Sequence, residues 1–257
     1  MRPGSGAMLV LTLLAGLAAA GSARAQDTQK EAASQTCEVP PYLLSTESTL
    51  PKVAEAIKNA RPLTVLVVGS RSSTITASEA SAYPAKLQAA LKDKLPSIPV
   101  NLSVELQNGK TAEEVDHSLV KLVEAKSPTL VIWQTGTVDA MRSVDPDDFR
   151  TAIDDGVAAL QNAGVDVVLV NLQYSPRTET MISAPPYLDN MRVVAQQHSV
   201  PLFDRFAIMR HWNDAGDFDL FSTFHGTDMA KRVHACLGRA LSKFVLDAAR
   251  LDQAQQN

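Results

Sequence analysis

The sequence predicts an α/β domain in which helices cover both faces of a five-stranded parallel sheet. Short runs of β-branched and aliphatic residues, typical of strands buried on both faces, alternate with segments whose apolar residues have helical spacing. The alternation repeats five times, and such chains form parallel sheets through right-handed crossovers. We therefore expect a three-layer α/β/α, flavodoxin-like arrangement with the first strand in the middle of the sheet.

Each element is predicted from its own pattern. Apolar runs predict strands at 63–68, 100–106, 130–133, 165–172 and 200–203. Helical spacing predicts helices at 50–57, 83–95, 111–125, 149–163, 188–197 and 228–251. In sheets of this kind ligands bind at the carboxyl ends of the strands. The residues that follow each strand are therefore the candidate functional residues.

The first 25 residues have the features of a secretory signal peptide. Arg2 gives a positive start, residues 7–21 are apolar or small, and residues 23–25 offer a cleavage site before Gln26. The apolar run is shorter than the roughly 20 residues that span a bilayer. We expect a periplasmic or secreted protein without a stable membrane anchor, with a polar arm at 26–48 and one domain at 49–257.

Composition and cysteine usage limit the partners of this domain. The formal net charge is −4, so no basic excess exists to neutralise phosphates, and we expect no nucleic-acid partner. The two cysteines, Cys37 and Cys236, favour one disulfide in an oxidising compartment; two separate buried thiols are the alternative. Their wide spacing differs from the close ligand pairs of a metal site, and we expect neither metal nor cofactor.

Polar segments with serine, glycine or histidine follow the strands. They lie at 69–74, 107–111 and 134–139, and a fourth at 222–226 precedes the last helix. A nucleophilic serine needs a base that accepts its proton, and the oxyanion needs fixed N–H donors, which strand-to-helix turns supply. A serine, two glycine turns and a histidine thus occur in the order that a three-layer hydrolase uses.

The first of these segments resembles a motif of the SGNH hydrolases, also called GDSL lipases or esterases. That family has Gly-Asp-Ser-x-Thr after its first strand, whereas residues 69–74 are Gly-Ser-Arg-Ser-Ser-Thr, with one extra residue and no Asp. Counting back from Thr74 makes Ser72 the nucleophile. Counting forward from the glycine places Arg71 there, which cannot serve, and Ser70 is the alternative nucleophile. A polar turn that only caps a helix is the non-catalytic interpretation of these serines.

The resemblance extends over nearly all of the chain after the signal peptide. It implies that Gly109 donates its backbone N–H to an oxyanion and that His225 is the base. Two positions depart from the family pattern. Val138 stands where the family has an Asn that donates to the oxyanion, and Ser222 stands where it has the acid that orients the histidine.

Nearby residues are candidates to replace the missing groups. Asp219 or Asp228 is the candidate acid, Gln173 or Asn171 the candidate donor, and Asp139 at the end of the third block a further candidate.

Loss of one oxyanion donor costs about 2.7–4 kcal/mol of transition-state stabilisation in a protease. We therefore keep two functions open. One is an exported serine esterase or acyl transferase for a small acyl ester, such as an acylated carbohydrate. The other is a catalytically inactive binding or scaffolding module of the cell envelope.

Residues after the fifth strand receive structural interpretations. Asp204 and Arg205 are expected to pair with each other or to cap a chain end. Met209, Trp212 and Phe218 form either a lid over the site or a satellite core cluster, and the cluster is the favoured prediction.

Overall fold

The computed structural model describes residues 37–76, 78–221 and 226–250. These residues form a five-stranded parallel sheet with helices on both faces, which confirms the predicted fold class. The predicted signal peptide lies outside the described residues.

The strand order places β3, not β1, in the middle of the sheet. The strands are β1 (Leu63–Gly69), β2 (Val100–Leu106), β3 (Leu130–Gln134), β4 (Asp166–Val170) and β5 (Leu202–Phe203). Their order is β2-β1-β3-β4-β5. The chain adds β2 on one side of β1, then returns and adds β3, β4 and β5 in turn on the other side. Only β2 therefore lies beyond β1. The expectation of a central β1 is therefore wrong by one position.

Ten helices are assigned among the described residues. They are α1 (Pro41–Leu44), α2 (Pro51–Lys58), α3 (Tyr83–Lys94), α4 (Ala112–Lys126), α5 (Thr137–Arg142), α6 (Pro146–Asn162), α7 (Pro176–Met181), α8 (Pro185–Gln197), α9 (Arg205–Asp214) and α10 (Gly226–Ala248). Helix α3 packs on α10 in one layer, and α4, α6 and α8 pack in series in the other. None of these helices is long and apolar enough to cross a bilayer. The sequence patterns did not predict α1, α5, α7 and α9.

Residues 37–48 of the predicted arm are fixed to the domain. Cys37 and Cys236 form the predicted disulfide, with their Cα atoms 5.2 Å apart. The Trp212 indole N–H donates to the Glu38 carbonyl at 2.9 Å, and Leu44 is buried. The start of the described chain is therefore bound to both α9 and α10.

A buried carboxylate marks the amino end of the sheet. Asp166, the first residue of β4, accepts the Val53 N–H through Oδ2 at 2.9 Å and so holds the first turn of α2. Burial raises the pKa of Asp166 to about 6. This carboxyl joins a helix to the sheet and lies at the end opposite to the candidate site.

The register brings the strand-end segments to one edge. Gly69 pairs with Leu106, and Gln134, the last residue of β3, pairs with Val170. Val170 in turn pairs with Phe203. The residues that follow the five strands therefore meet at the carboxyl end of the sheet, as parallel pairing requires.

Candidate active site

The serine segment after β1 folds into a single 3-10 turn, Arg71–Ser73. The Ser73 N–H donates to the Ser70 carbonyl at 2.8 Å, and the Ser70 N–H donates to Ser73 Oγ at 3.2 Å. Ser73 is buried and stabilises the turn, as the non-catalytic interpretation of this segment expects for one of its serines. Ser70 and Ser72 are half-buried, with their Oγ atoms 3.4 Å apart.

Gln134 supplies an amide donor to both half-buried serines. Its Oε1 accepts hydrogen bonds from Ser73 Oγ at 2.8 Å and Tyr83 Oη at 3.1 Å, and from Arg205 Nη1 at 2.9 Å. A guanidinium has no acceptor, so its contact fixes the amide oxygen on this side. The Gln134 Nε2 therefore faces the serines and donates to Ser72 Oγ at 2.8 Å and to Ser70 Oγ at 3.2 Å.

Arg205, the first residue of α9, is buried against the same serine. Only 1% of this residue is exposed. Its Nη1 donates to Ser72 Oγ at 3.2 Å as well as to Gln134, and its Nη2 donates to the Ser72 carbonyl at 3.1 Å and to Gln173 Oε1 at 3.0 Å. Within the described part of the chain, no carboxylate forms an ion pair with this guanidinium. The arginine therefore places a positive charge among neutral oxygens.

The charge on Arg205 persists at neutral pH. Burial lowers the pKa of Arg205 only to about 10. Its guanidinium carbon lies 5.7 Å from the centre of the Tyr83 ring, and burial raises the pKa of that phenol. His234 accepts the Tyr83 N–H through Nδ1 at 2.9 Å, and burial, together with the Arg205 charge, lowers its pKa to about 3. Both aromatic neighbours are thus neutral beside a cation.

A small pocket opens beside Ser70. Its volume is about 10 Å³, and its lining includes Ser70, Gln134, Gly136 and Val138. Space of this size holds roughly one water molecule. Gly136 has φ +93°, and a Cβ there would meet Leu172 Cδ1 at 2.6 Å, so glycine is required at this wall. Ser70 lines this pocket, whereas Ser72 does not.

The loop that carries Gly109 borders this pocket. The Gln107 N–H donates to the Gly69 carbonyl at 2.7 Å, which ties the loop to the end of β1. Gln107 and Lys110, on either side of Gly109, both line the pocket, and Gly109 has φ +73°. The predicted oxyanion glycine therefore lies in a loop that is bonded to the end of β1 and borders the pocket beside Ser70.

Asp139 has a structural partner. The residue is buried, and its Oδ1 accepts the Ala112 N–H at 2.8 Å, which holds the first turn of α4 beside the pocket. Burial raises the pKa of Asp139. The carboxyl is therefore a positioning group for α4 in this structure.

The two candidate donors after β4 differ in what they can offer. Asn171 donates to Asp204 Oδ1 at 2.7 Å and accepts the Phe206 N–H in the first turn of α9 at 2.9 Å, so both ends of its amide bond within the fold. Gln173 uses its oxygen on Arg205 and lies half-buried. Asp204 caps α9 by accepting the Ala207 N–H at 2.9 Å, and it does not pair with Arg205. The capping alternative for Asp204 is thus confirmed and the pairing alternative is wrong.

The predicted base lies outside the described residues, as does Ser222. Of the candidate acids, Asp219 accepts the Phe221 N–H at 3.1 Å. Asp228 is at the surface, where 85% of its side chain is exposed and Lys231 lies 3.1 Å away. The role of His225 and the acid that orients it stay predictions.

Sequence reasoning assigned no site role to Gln134 and Arg205, whose side chains donate to Ser72 Oγ. A signal for Arg205 exists in the sequence. Arg205, Ile208, Met209 and Trp212 have the spacing of one helix face, and all four are buried. A charged residue on an apolar face indicates a buried charge.

The burial of Met209, Trp212 and Phe218 also shows that they belong to the core, not to a lid.

Comparison with known families gives this architecture a classification. Residues 36–251 match the model of the Non-GDSL lipase-like family, a match that spans most of the chain. The chain belongs to this family. The resemblance to SGNH/GDSL-type hydrolases that the motifs indicated is thereby confirmed. No curated protein sequence matches this family member significantly.

Solved structures similar to this family member share its fold at low sequence identity. TesA has a TM-score of 0.58 and 19% identity, over 72% of this chain and 99% of TesA. An acetyl xylan esterase, AlAXEase, has a TM-score of 0.56 and 17% identity, over 72% of this chain and 99% of that enzyme. A two-domain esterase (CEX) active on acetylated mannans has a TM-score of 0.65 and 12% identity, over 82% of this chain and 57% of that chain.

Proposed function

We propose that this chain is an exported serine esterase in which Ser72 is the nucleophile and His225 the base. One observation carries the proposal. Ser72 Oγ accepts two hydrogen bonds, from Gln134 Nε2 at 2.8 Å and from the cationic Arg205 at 3.2 Å. Donors that face an oxygen stabilise its negative form, and a charged donor does so more strongly. Ser70 Oγ accepts only the Gln134 donor among these two, so Ser72 has the more acidic hydroxyl.

The reaction follows from this assignment. Ser72 Oγ attacks the ester carbonyl carbon and passes its proton to His225, and the carbonyl oxygen takes up the electron pair as an oxyanion. The N–H groups of Ser72 and Gly109 hold that oxyanion. The ester C–O bond then breaks, and the alcohol leaves with the proton from His225. Water repeats the sequence on the acyl-enzyme and releases the acid; a sugar hydroxyl in place of water makes the reaction an acyl transfer.

The substrate we propose is a small acyl ester, with an acetyl group on carbohydrate as the leading case. Two structures of the same fold are esterases whose substrates are acetylated polysaccharides. The signal-peptide features and the Cys37–Cys236 disulfide support export to a compartment where such carbohydrate occurs.

Labelling with an alkyl fluorophosphonate, followed by peptide mapping, tests the proposal. Serine Oγ displaces fluoride from phosphorus, and the modified peptide identifies the nucleophile. We expect a label on Ser72 in the wild type and in Ser70→Ala, and no label in Ser72→Ala. Label on Ser70 alone would support a serine esterase with Ser70, not Ser72, as the nucleophile. A wild type that takes up no label and hydrolyses no acetyl ester would contradict the proposal and support a binding module.

A second arm of the same experiment addresses the base. His225→Ala should abolish hydrolysis of 4-nitrophenyl acetate as fully as Ser72→Ala does. The double variant should be little worse than either, because residues that act as one unit show non-additive losses. Losses that multiply in the double variant would show that the two residues do not act together.

A further inference from the structure

Resting on the proposed function, we infer that Arg205 is a further catalytic residue, whose buried positive charge stabilises negative charge on Ser72 Oγ. This interaction acts on the nucleophile from the interior of the domain. It involves a residue other than the predicted base and the Ser222 position, where the resemblance predicts an acid.

The hydrogen bonds of Arg205 show that the guanidinium is fixed. Its two Nη atoms carry four N–H groups, and four acceptors receive them: Ser72 Oγ, the Ser72 carbonyl, Gln134 Oε1 and Gln173 Oε1. These acceptors follow or end β1, β3 and β4, so three segments hold the group in one orientation. No Nη N–H remains for a bound anion, which excludes a substrate-carboxylate site at these atoms.

The energetics argue that the charge itself has a role. Burial of an ion without a counter-ion destabilises the folded state even after relaxation. Neutral amide donors could satisfy the same oxygens without that cost, as Gln134 does for Ser72 and Ser70. The described part of the chain supplies no acid partner for Arg205. Its positive charge is therefore stabilised most when Ser72 Oγ, 3.2 Å away, becomes negative. An opposite charge within about 4–6 Å lowers an acid's pKa by roughly 1–3 units.

The other titratable groups around Arg205 leave a window in which this effect can be measured. Tyr83 faces it from α3 with a raised pKa, and His234 faces the same place from α10 with a pKa of about 3. Asp139 lines the neighbouring pocket with a raised pKa, and Arg71 is exposed on the serine turn. Between about pH 6 and about pH 9, Tyr83 and His234 keep their neutral forms, so the labelling profile follows the Ser72–His225 pair of the proposed mechanism.

The test measures the rate of fluorophosphonate labelling against pH in the full chain. The variants are Arg205→Met, which removes the charge, and Arg205→Lys, which keeps it. Arg192→Met is the matched control, because it removes an exposed arginine that pairs with Asp189 and Asp204. Circular dichroism checks folding, and Arg205→Gln replaces Arg205→Met if the methionine variant does not fold.

The expected result is a shift of the pH profile and not a uniform loss. Arg205→Met should move the midpoint of the labelling rate upward by at least about one pH unit, so that the rate falls about tenfold below the midpoint and converges with the wild type above it. Arg205→Lys and Arg192→Met should keep the wild-type midpoint. A loss by the same factor at every pH would show that Arg205 is only structural, and an unchanged profile would overturn the inference.

The same data separate this inference from the proposed function. If the wild type is labelled at Ser72 or Ser70 and Arg205→Met has the same pH profile, the esterase proposal is supported and the role of Arg205 is contradicted. If the wild type is not labelled at any pH, both the esterase proposal and the proposed role of Arg205 are contradicted.

Discussion

The two ends of the sheet bury charged groups in opposite ways. At the amino end, Asp166 holds α2 and has a pKa of about 6, so a proton neutralises it in mildly acidic conditions. At the carboxyl end, Arg205 has a pKa of about 10 and stays charged among neutral oxygens. The first group can lose its charge near neutral pH and the second cannot. The difference suggests that the carboxyl-end charge is kept for the chemistry next to it.

The largest expected effect comes from giving Arg205 the acid partner that it lacks. Gln134→Glu places a carboxylate against Arg205 and removes the amide N–H that Ser72 Oγ and Ser70 Oγ accept. We expect labelling and ester hydrolysis to fall about 100-fold or more, the range found when one preorganised donor is lost. The thermal midpoint should not fall in parallel, because the buried cation gains a counter-ion.

Gln173→Glu is the matched control for that prediction. It also gives Arg205 a carboxylate, through the position now held by Gln173 Oε1, but it keeps the Gln134 donor on Ser72. Its loss of activity should be clearly smaller than that of Gln134→Glu. Equal losses would mean that the charge alone matters and that the Gln134 donor contributes nothing.

An effect on stability should appear at the other end of the sheet. The folded-state pKa of Asp166, about 6, lies above the unfolded value of about 3.9, so ionisation destabilises the folded state. The stability contribution of the protonated group is present below about pH 4 and is lost as the pH rises through about 6. Asp166→Asn keeps an acceptor for Val53 without ionising. It should therefore raise the free energy of unfolding at pH 7.5 by on the order of 2 kcal/mol.

Urea unfolding at several pH values measures this difference. Near pH 4 the variant and the wild type should have the same stability. Asp189→Asn, which changes an exposed carboxyl paired with Arg192, is the control and should shift the curve little. A destabilised Asp166→Asn protein at pH 7.5 would show that the carboxylate charge holds α2.

The smallest effect is expected at Val138. The resemblance to the SGNH hydrolases predicts an oxyanion-hole Asn at this position, and Val138 lines the pocket beside Ser70. In the proposed mechanism the N–H groups of Ser72 and Gly109 already hold the oxyanion. Val138→Asn should therefore change kcat/KM for an acetyl ester by less than about threefold, far below the 10²-fold effect of a missing donor. A rise above tenfold would show that the oxyanion hole lacks a donor.

The main elements of the fold were predictable because their signals are local. The runs at β1, β3 and β4 are almost continuously apolar and fully buried, and such runs identify interior strands. Even the two-residue β5 was placed, since it lies between a long helix and a polar segment. The order of β1 and β3 was not predictable, because it depends on which neighbour each crossover selects.

The candidate site was predictable only in part. The motif blocks identified the correct sheet edge, since they follow the strands. They gave no role to Gln134, which begins the predicted polar segment at 134–139 and ends β3 in the structure, nor to Arg205, which begins a helix that was not predicted. The contact of both with Ser72 joins positions 62 and 133 residues apart, and only the folded sheet brings them together.

The disulfide has a consequence for the connectivity of the domain. Cys37 and Cys236 are 199 positions apart, and the bond between them closes nearly all of the described chain into a covalent ring. A ring tolerates one cut, because both fragments stay attached through the bridge. The exposed turn at Ala163 and Gly164, after α6, is therefore a suitable place for a single backbone cut, because the disulfide keeps the two fragments covalently joined.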